Sequence, residues 1–252
     1  MSAITTTAAR RRLLDPLLVT GTVAETGWAR PRLRRIVLAG DGLRDLGWTP
    51  GQQVRVQVAR RGAALDWLTG LRRTYSVLDY DGTRLTLCVF DHGGSAGDGA
   101  AGGPGAAWAR AVGVGDPVLV SKPQGNFTLR PGPHHLFVGD ETASVAFAAM
   151  TRVVPAATTA RSIVEVDTPD QELPLAGEVT WLHRHGASAA SSQRLVAAVR
   201  AADLPDAPGR AYLAGEARTI QLVREHLVGE RGWSRRDVLT KPFWTPGRAG
   251  LE

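Results

Sequence analysis

Along the first half of the chain, apolar and polar side chains alternate at a period of two. Val54, Val56 and Val58 alternate with Gln53, Arg55 and Gln57, and Leu85, Leu87 and Val89 alternate with Arg84, Thr86 and Cys88. Successive side chains of a strand point to opposite faces, so this is the pattern of half-buried strands. Similar pieces occur at Val19–Glu25, Leu33–Ala39, Tyr75–Tyr80 and Pro117–Ser121. Turn-forming pairs, Asp41-Gly42, Pro50-Gly51 and Asp81-Gly82, fall between them. The pattern predicts a small six-stranded antiparallel β-barrel.

From about Gly132 the rhythm changes. The apolar run His135–Val138 leads into a helix-like Thr142–Arg152, followed by strands at Ser162–Val166 and Val179–His183. A helix at Ser191–Ala202, a strand at Ala211–Ala214, a helix at Ala217–Glu230 and a last strand near Val238 complete the pattern. Leu195, Val196 and Val199 form the apolar stripe of one helix, and Ile220, Val223 and Leu227 that of the other. Strands alternating with helices predict an α/β unit with a parallel sheet covered on both faces. The expected organisation is an N-terminal arm over 1–17, a barrel over 18–131, and an α/β domain with a C-terminal tail over 132–252. The turn-rich Leu129–His134 marks the boundary. Gly93–Gly105 holds too little apolar mass to pack and reads as a surface loop before a helix near Ala106.

Composition narrows the function classes. The 252 residues are 43% hydrophobic and 21% charged, enough to bury real cores. A single cysteine, Cys88, excludes an internal disulfide and a thiolate metal site and makes a reducing cytoplasm the expected location. The arginines at 10–12 are followed by Asp15 and Pro16, so the N-terminus reads as neither signal peptide nor membrane span. The formal charge of +6 fits an anionic cofactor or small molecule. Aromatic residues, at 6%, do not interleave with basic ones as a nucleic-acid platform requires.

Four motifs carry candidate chemistry. In Arg73-Thr74-Tyr75-Ser76 the arginine can pair with a pyrophosphate and the tyrosine can lie on a flat ring, or the tyrosine can simply be core. Val89-Phe90-Asp91-His92-Gly93 is followed by Gly103-Pro104-Gly105-Ala106-Ala107-Trp108-Ala109. The second of these opens a helix whose first amides favour phosphate, or it is a glycine-rich connector. Gly139-Asp140-Glu141-Thr142-Ala143-Ser144 is a strand-to-helix turn in which Asp140 caps the helix or the amides and Thr142 hold a dinucleotide phosphate. Gly215-Glu216-Ala217 is a second such turn. The stretch from Gly139 lacks the Gly-x-Gly-x-x-Gly of simple dehydrogenases. His92 reads as a structural hydrogen-bonder or a positioning group, and His134–His135 and His183–His185 lack the third partner of a metal site. The sequence shows no Ser-His-Asp order and no readable acid/base pair.

Together, and in this order from about Leu18 to Gly250, these motifs resemble the siderophore-interacting proteins, flavin-dependent ferric-siderophore reductases of the ferredoxin reductase-like superfamily. The resemblance implies an enzyme that binds FAD through Arg73, Thr74, Tyr75, Ser76, His92, Gly93, Gly105, Ala106 and Trp108. It implies a pyridine nucleotide, or the flavin face, at Asp140, Thr142, Ala143, Ser144, Arg184, Gly215, Glu216 and Trp244. Hydride would pass from NADPH or NADH to flavin and electrons singly to iron(III). A basic rim of Lys122, Lys241 and Arg248 would hold the anionic siderophore. Arg161, Arg184 and Arg218 are candidate 2′-phosphate partners, which favours NADPH. The chain departs from the family at Leu78, where many relatives carry a second arginine, and at Phe243 and Thr245, which flank Trp244 in place of a tyrosine and an arginine. Those departures leave open a non-redox biosynthetic role such as a cyclase, or a siderophore-binding module without reductase activity. Trp244 reads either as a cover over the site or as an anchor of the tail.

Overall fold

A computed structural model describes residues 18–58, 71–91 and 103–247. The expected N-terminal arm and most of the Gly93–Gly105 loop lie outside the described residues. The chain divides into two units. One comprises Met1–Ala29, Arg34–Thr49 and Gln53–Gln124, and the other Arg30–Leu33, Pro50–Gln52 and Gly125–Glu252.

In the first unit the alternating segments become β1 (Leu18–Arg30), β2 (Leu33–Ala39), β3 (Gln53–Gln57), β4 (Arg72–Tyr80), β5 (Arg84–Phe90) and β6 (Pro117–Ser121). They close a barrel in the order β1-β2-β5-β4-β3-β6. Closure pairs β1 with β6, Leu18 opposite Ser121 through Thr22 opposite Pro117, so the first and last strands have no open edge between them. The apolar set of each strand points inward: Val54, Val56, Leu85 and Leu87 are fully buried, with Ile36, Leu38, Val77 and Val120. Helix α1 (Pro104–Ala111) turns Ala109 onto this core. The register of β4 against β5 shifts between Val77 and Asp79, which places Leu78 in a bulge.

The second unit contains β7 (His134–Asp140), α2 (Ser144–Thr151), β8 (Thr159–Val166), β9 (Glu178–His183), α3 (Gln193–Ala201), β10 (Arg210–Glu216), α4 (Ala217–Glu225) and β11 (Val238–Trp244). Its five strands run parallel in the order β11-β10-β7-β8-β9. Every residue of β7 is buried, as a central strand covered on both faces must be. Leu136 and Val138 face α3 and α4, among Leu195, Val199, Ile220 and Val223. Phe137 faces the other way, among Phe147 and Met150 of α2 and Tyr212, on which it stacks with ring centroids 5.0 Å apart. The two adjacent histidines likewise split between faces, His134 against Trp233 and His135 against Phe137 and Tyr212.

Three expectations change. The unit boundary falls after Gln124, because Phe127 is buried edge-on to Tyr212 and the Arg130 amide donates to the Tyr212 hydroxyl at 2.7 Å. The helix expected over Ala217–Glu230 is α-helical to Glu225 and ends in a π turn over His226–Glu230, where Gly229, a poor helix former, sits. The last strand continues through Pro242 to Trp244, which an edge strand tolerates because a proline removes no interior ladder bond there.

No helix among the described residues is long and apolar enough to cross a membrane. Cys88 is buried in β5, and burial pushes its thiol up to about 12. A thiol reagent at pH 8 is therefore expected to leave the native protein unmodified and to label one thiol after denaturation; rapid native labelling would place Cys88 elsewhere.

Candidate functional site

In the barrel, the Arg73–Ser76 motif lies on β4, and pairing with β3 divides it between two faces. Val54 lies opposite Tyr75 and Val56 opposite Arg73, whereas Arg55 lies opposite Thr74 and Gln53 opposite Ser76. Arg73 and Tyr75 thus share the face on which α1 packs. Thr74 is exposed, and Ser76 is buried with its Oγ 3.4 Å from Gln53 Nε2. The Tyr75 ring stacks on Trp108 of α1, with centroids 5.9 Å apart and planes 23° apart. Among the described residues the Tyr75 hydroxyl is buried without a hydrogen-bond partner, and that burial raises its pKa.

The start of α1 meets this tyrosine closely. A Cβ on Gly105 would stand 2.3 Å from the Tyr75 hydroxyl and 3.4 Å from Arg73 Cγ, so a side chain at 105 is excluded. Pro104 occupies the first turn, no side chain caps the helix, and the first turn holds no acid. Its leading amides therefore point out uncapped beside the tyrosine, next to buried Ala106. Arg73 Nη1 donates to the Arg72 carbonyl at 2.8 Å, and the described residues give the guanidinium no carboxylate. Asp91 accepts from Arg110 of α1 at 2.7 and 2.9 Å, which ties the end of β5 to the helix. His92 and Gly93 lie outside the described residues.

In the second unit, the residues expected at the nucleotide site gather around one carboxylate. Asp140 ends β7 and is 3% exposed. Its Oδ1 accepts from the Thr142 amide at 2.9 Å and from the Thr142 hydroxyl. Its Oδ2 accepts from the Glu216 amide and from the Trp244 indole Nε1, both at 2.8 Å. Gly215 permits this approach: its φ is +124°, and a Cβ there would lie 2.6 Å from Oδ2. Burial, reinforced by the neighbouring Glu141, lifts the Asp140 carboxyl to about 6, although the bonds from Thr142, Trp244 and Glu216 pull the other way.

A second buried carboxylate continues the network. Glu216 caps α4 by accepting from the amides of Arg218 and Thr219 at 2.9 and 2.8 Å, and it also accepts from the Ser191 amide at 2.9 Å. Burial alone would raise its pKa, but these amides outweigh it and hold the carboxyl low. The Thr219 hydroxyl donates to Glu216 and accepts from the Ser192 amide. Ser192 Oγ in turn donates to Glu165 at 2.8 Å. Arg184 forks onto Glu141 with two 2.6 Å bonds and stands 4.0 Å from Glu165.

This geometry revises several expected roles. Most donors of the Asp140–Ser144 turn are engaged: the Thr142 amide and hydroxyl go to Asp140, the Ala143 amide to the Asp140 carbonyl and the Ser144 amide to the Glu141 carbonyl, whereas the Ser144 hydroxyl is buried without a partner among the described residues. The Thr142 amide and hydroxyl and the Ala143 amide are therefore spent within the turn and not presented to a phosphate. Glu216 is a helix cap, and Arg184 is a buried ion-pair partner. Arg161 sits near the amino end of β8, bound to Glu178 and the Asp203 carbonyl, away from the edge where parallel sheets bind ligands. Trp244 is tied to the carboxyl edge by its indole. Lys122 is exposed after β6, Lys241 is half-buried in β11, and Arg248 lies outside the described residues. Arg218 remains 60% exposed, 4.0 Å from Glu225.

Comparison with known proteins settles the family. The profile of the siderophore-interacting FAD-binding domain matches residues 22–127, and that of the siderophore-interacting protein matches residues 132–247. The chain belongs to the siderophore-interacting protein family. Among solved structures, it resembles a siderophore utilization protein from T. fusca with TM-score 0.77 and 24% identity, covering 93% of this chain and 95% of that one. It also resembles the siderophore-interacting protein SipS from Aeromonas hydrophila with TM-score 0.75 and 24% identity, covering 91% and 98%. The ferredoxin reductase-like fold extends beyond the family. The FAD/NAD binding domain of nitric oxide dioxygenase from Vibrio cholerae matches with TM-score 0.72 and 18% identity, covering 90% and 99%. An uncharacterized protein of Mycobacterium bovis is 28% identical over 155 residues, 56% of this chain and 55% of its own length. The chain thus spans about half the length of the curated relatives it matches.

Sequence reasoning did not reach the Tyr75–Trp108 stack, the Asp140–Trp244 bond or the Glu141–Arg184–Glu165 cluster, whose members lie far apart in sequence. The parallel register was the available signal: Asp140 lies opposite Glu165, and Val166 opposite His183, so aligning the strand ends brings acids together at one edge.

Asp140→Ala strands the Glu216 amide and the Trp244 indole in a buried place, and unfolding by denaturant is expected to show a loss of about 2–4 kcal/mol. Gly215→Ala is expected to destabilise in the same direction by at least about 1 kcal/mol, since it adds a Cβ at positive φ. The pH dependence has a definite sign. Asp140 titrates at about 6 in the fold against 3.8 ordinarily, so the folded state binds the proton more tightly. Its contribution favours folding most below the ordinary value and falls away as pH rises through about 6. Asp140→Asn is expected to remove that slope from stability measured between pH 4 and 7.

Proposed function

We propose that this protein is a flavin-dependent oxidoreductase that reduces iron(III) in a siderophore. The observation that carries the reading is the Tyr75 hydroxyl, which among the described residues is buried and unpartnered against the uncapped start of α1, beside an arginine that meets no carboxylate there. A buried hydroxyl without a partner costs free energy, and an uncapped helix start beside a guanidinium attracts anions. A pyrophosphate-bearing flavin offers acceptors for all three groups. The residues present therefore fit FAD. Arg73 and the amides of Gly105 and Ala106 would hold the pyrophosphate, and the Tyr75 hydroxyl would bond the adjoining sugar chain.

When bound, FAD supplies the redox chemistry: one hydride from a pyridine nucleotide reduces two iron(III) to two iron(II) and leaves oxidised nucleotide and a proton. The rest of the task is placement. Trp108 fixes the Tyr75 ring by stacking, and Asp140 fixes Trp244 by accepting from its indole. No side chain is asked to transfer a proton. Iron(II) is held more weakly than iron(III) by hard oxygen ligands, so reduction releases it. Lys122, Lys241 and Arg248 are the cations proposed to attract an anionic siderophore. The single buried thiol suits a reducing cytoplasm.

The purified protein is expected to carry or take up FAD, to bleach anaerobically with a reduced pyridine nucleotide, and to recolour on adding a ferric siderophore. Arg73→Ala should weaken FAD about ten- to a hundredfold, the worth of one charge-assisted bond of about 1.5–3 kcal/mol. A protein that takes up no FAD, or one whose bound flavin is not reduced, would support the non-redox enzyme or the binding module instead. An unchanged titration for Arg73→Ala would remove that residue from the site.

A further inference from the structure

Five carboxylates crowd the carboxyl edge of the parallel sheet. Asp140 ends β7 and Glu141 follows it, Glu165 lies at the end of β8 and Asp167 one residue beyond it, and Glu216 ends β10. The guanidinium packed among them is that of Arg184, and both of its terminal nitrogens are taken by Glu141. Arg194 donates to the His183 carbonyl. The edge is therefore richer in negative charge than in positive, although the whole chain is basic.

The strand order makes this edge a ligand site. The chain moves outward from β7 through β8 to β9, then returns to place β10 on the other side of β7, so the sheet changes direction between β7 and β10. Open parallel sheets bind ligands outside the carboxyl ends at such a point, and dinucleotide folds read the adenosine ribose with a group near the end of the second strand. Here the second strand is β8. Glu165 is 1% exposed, its Oε2 and the neighbouring Arg184 Nε are buried without partners, and Ser192 occupies its other oxygen.

Asp167 follows β8 directly and is half-buried, so its carboxylate is reachable. Its Oδ1 accepts from the Gly186 amide at 2.6 Å, and its carbonyl accepts from the His185 amide at 2.9 Å, so the carboxylate is held in one orientation. Its Oδ2 has no protein donor among the described residues. A carboxylate oxygen presented in this way accepts from a ribose hydroxyl and repels a phosphate. Of the cations that could bind a 2′-phosphate, Arg184 is committed to Glu141 and Arg161 to Glu178, while Arg218 stays 60% exposed at 4.0 Å from Glu225.

We propose that the pyridine nucleotide of this protein is the one with an unphosphorylated adenosine ribose, NADH rather than NADPH, and that Asp167 is the specificity-determining residue. The inference rests on the flavin-reductase reading above. The test is calorimetric titration of the full-length, FAD-loaded protein with ADP-ribose and with its 2′-phosphate, two probes that carry no hydride. ADP-ribose is expected to bind at least about tenfold more tightly, and anaerobic flavin bleaching should rank NADH over NADPH in the same way. Asp167→Asn keeps an acceptor for the Gly186 amide, so its flavin spectrum and thermal midpoint should match the wild type. Its preference between the two probes should shrink several-fold. Tighter or equal binding of the 2′-phosphate, or an unchanged preference in Asp167→Asn, overturns the inference and leaves the flavin-reductase reading standing. Binding of neither probe overturns both. Should Asp167→Asn fail to fold, the wild-type ratio decides alone.

Discussion

A carboxylate buried at the end of the central strand organises the second unit. Removing Asp140 from water costs several kcal/mol unless hydrogen bonds replace its hydration. Four donors do so: two from Thr142, one from the backbone after Gly215 and one from the Trp244 indole. They come from the turn after β7, from β10 and from the end of β11, so satisfying one charge fixes three elements relative to one another. Other details follow from it. Position 215 must lack a side chain, and the Thr142 turn must spend its donors inward. The tail must run as a parallel edge strand far enough to bring residue 244 to the carboxyl edge.

The first unit solves a different problem. Its barrel core is apolar and self-sufficient, but the face of β4 that carries Arg73 and Tyr75 is covered by a helix that leaves a buried hydroxyl unmatched. Polar satisfaction is nearly complete elsewhere along the motif: Ser76 reaches Gln53, and Ser121 accepts from the Arg55 amide. The unmatched group beside an uncapped helix start is the feature on which the proposed flavin site rests.

Much of this was legible in the sequence because its signals are local. Alternation in Val54–Val58 and Leu85–Val89 survives as barrel strands, and the stripes of Leu195–Val199 and Ile220–Leu227 survive as the buried faces of helices. The motif residues also sit where strands meet helices. What could not be read was which partner each polar group chooses. Arg184 looks like a phosphate ligand by itself, and its commitment to Glu141 depends on a register that juxtaposes residues 43 apart. Thr142 looks like a phosphate hydroxyl until Asp140, two residues earlier, proves to be buried and in need of it. Trp244 could be read from the sequence as a cover or an anchor, but its bond to Asp140, 104 residues away, could not.

The central claim is that Asp140 holds Trp244, and the indole N–H of Trp244 reports it directly. In protein labelled with nitrogen-15 at its tryptophans, the Trp244 signal is identified as the one missing from Trp244→Phe. The account predicts that it exchanges slowly with water and shifts with pH about a midpoint near 6, the value at which Asp140 titrates. It predicts a large displacement in Asp140→Asn. A Trp244 signal that exchanges as fast as an exposed indole, does not move between pH 4 and 8 and ignores the substitution would contradict it.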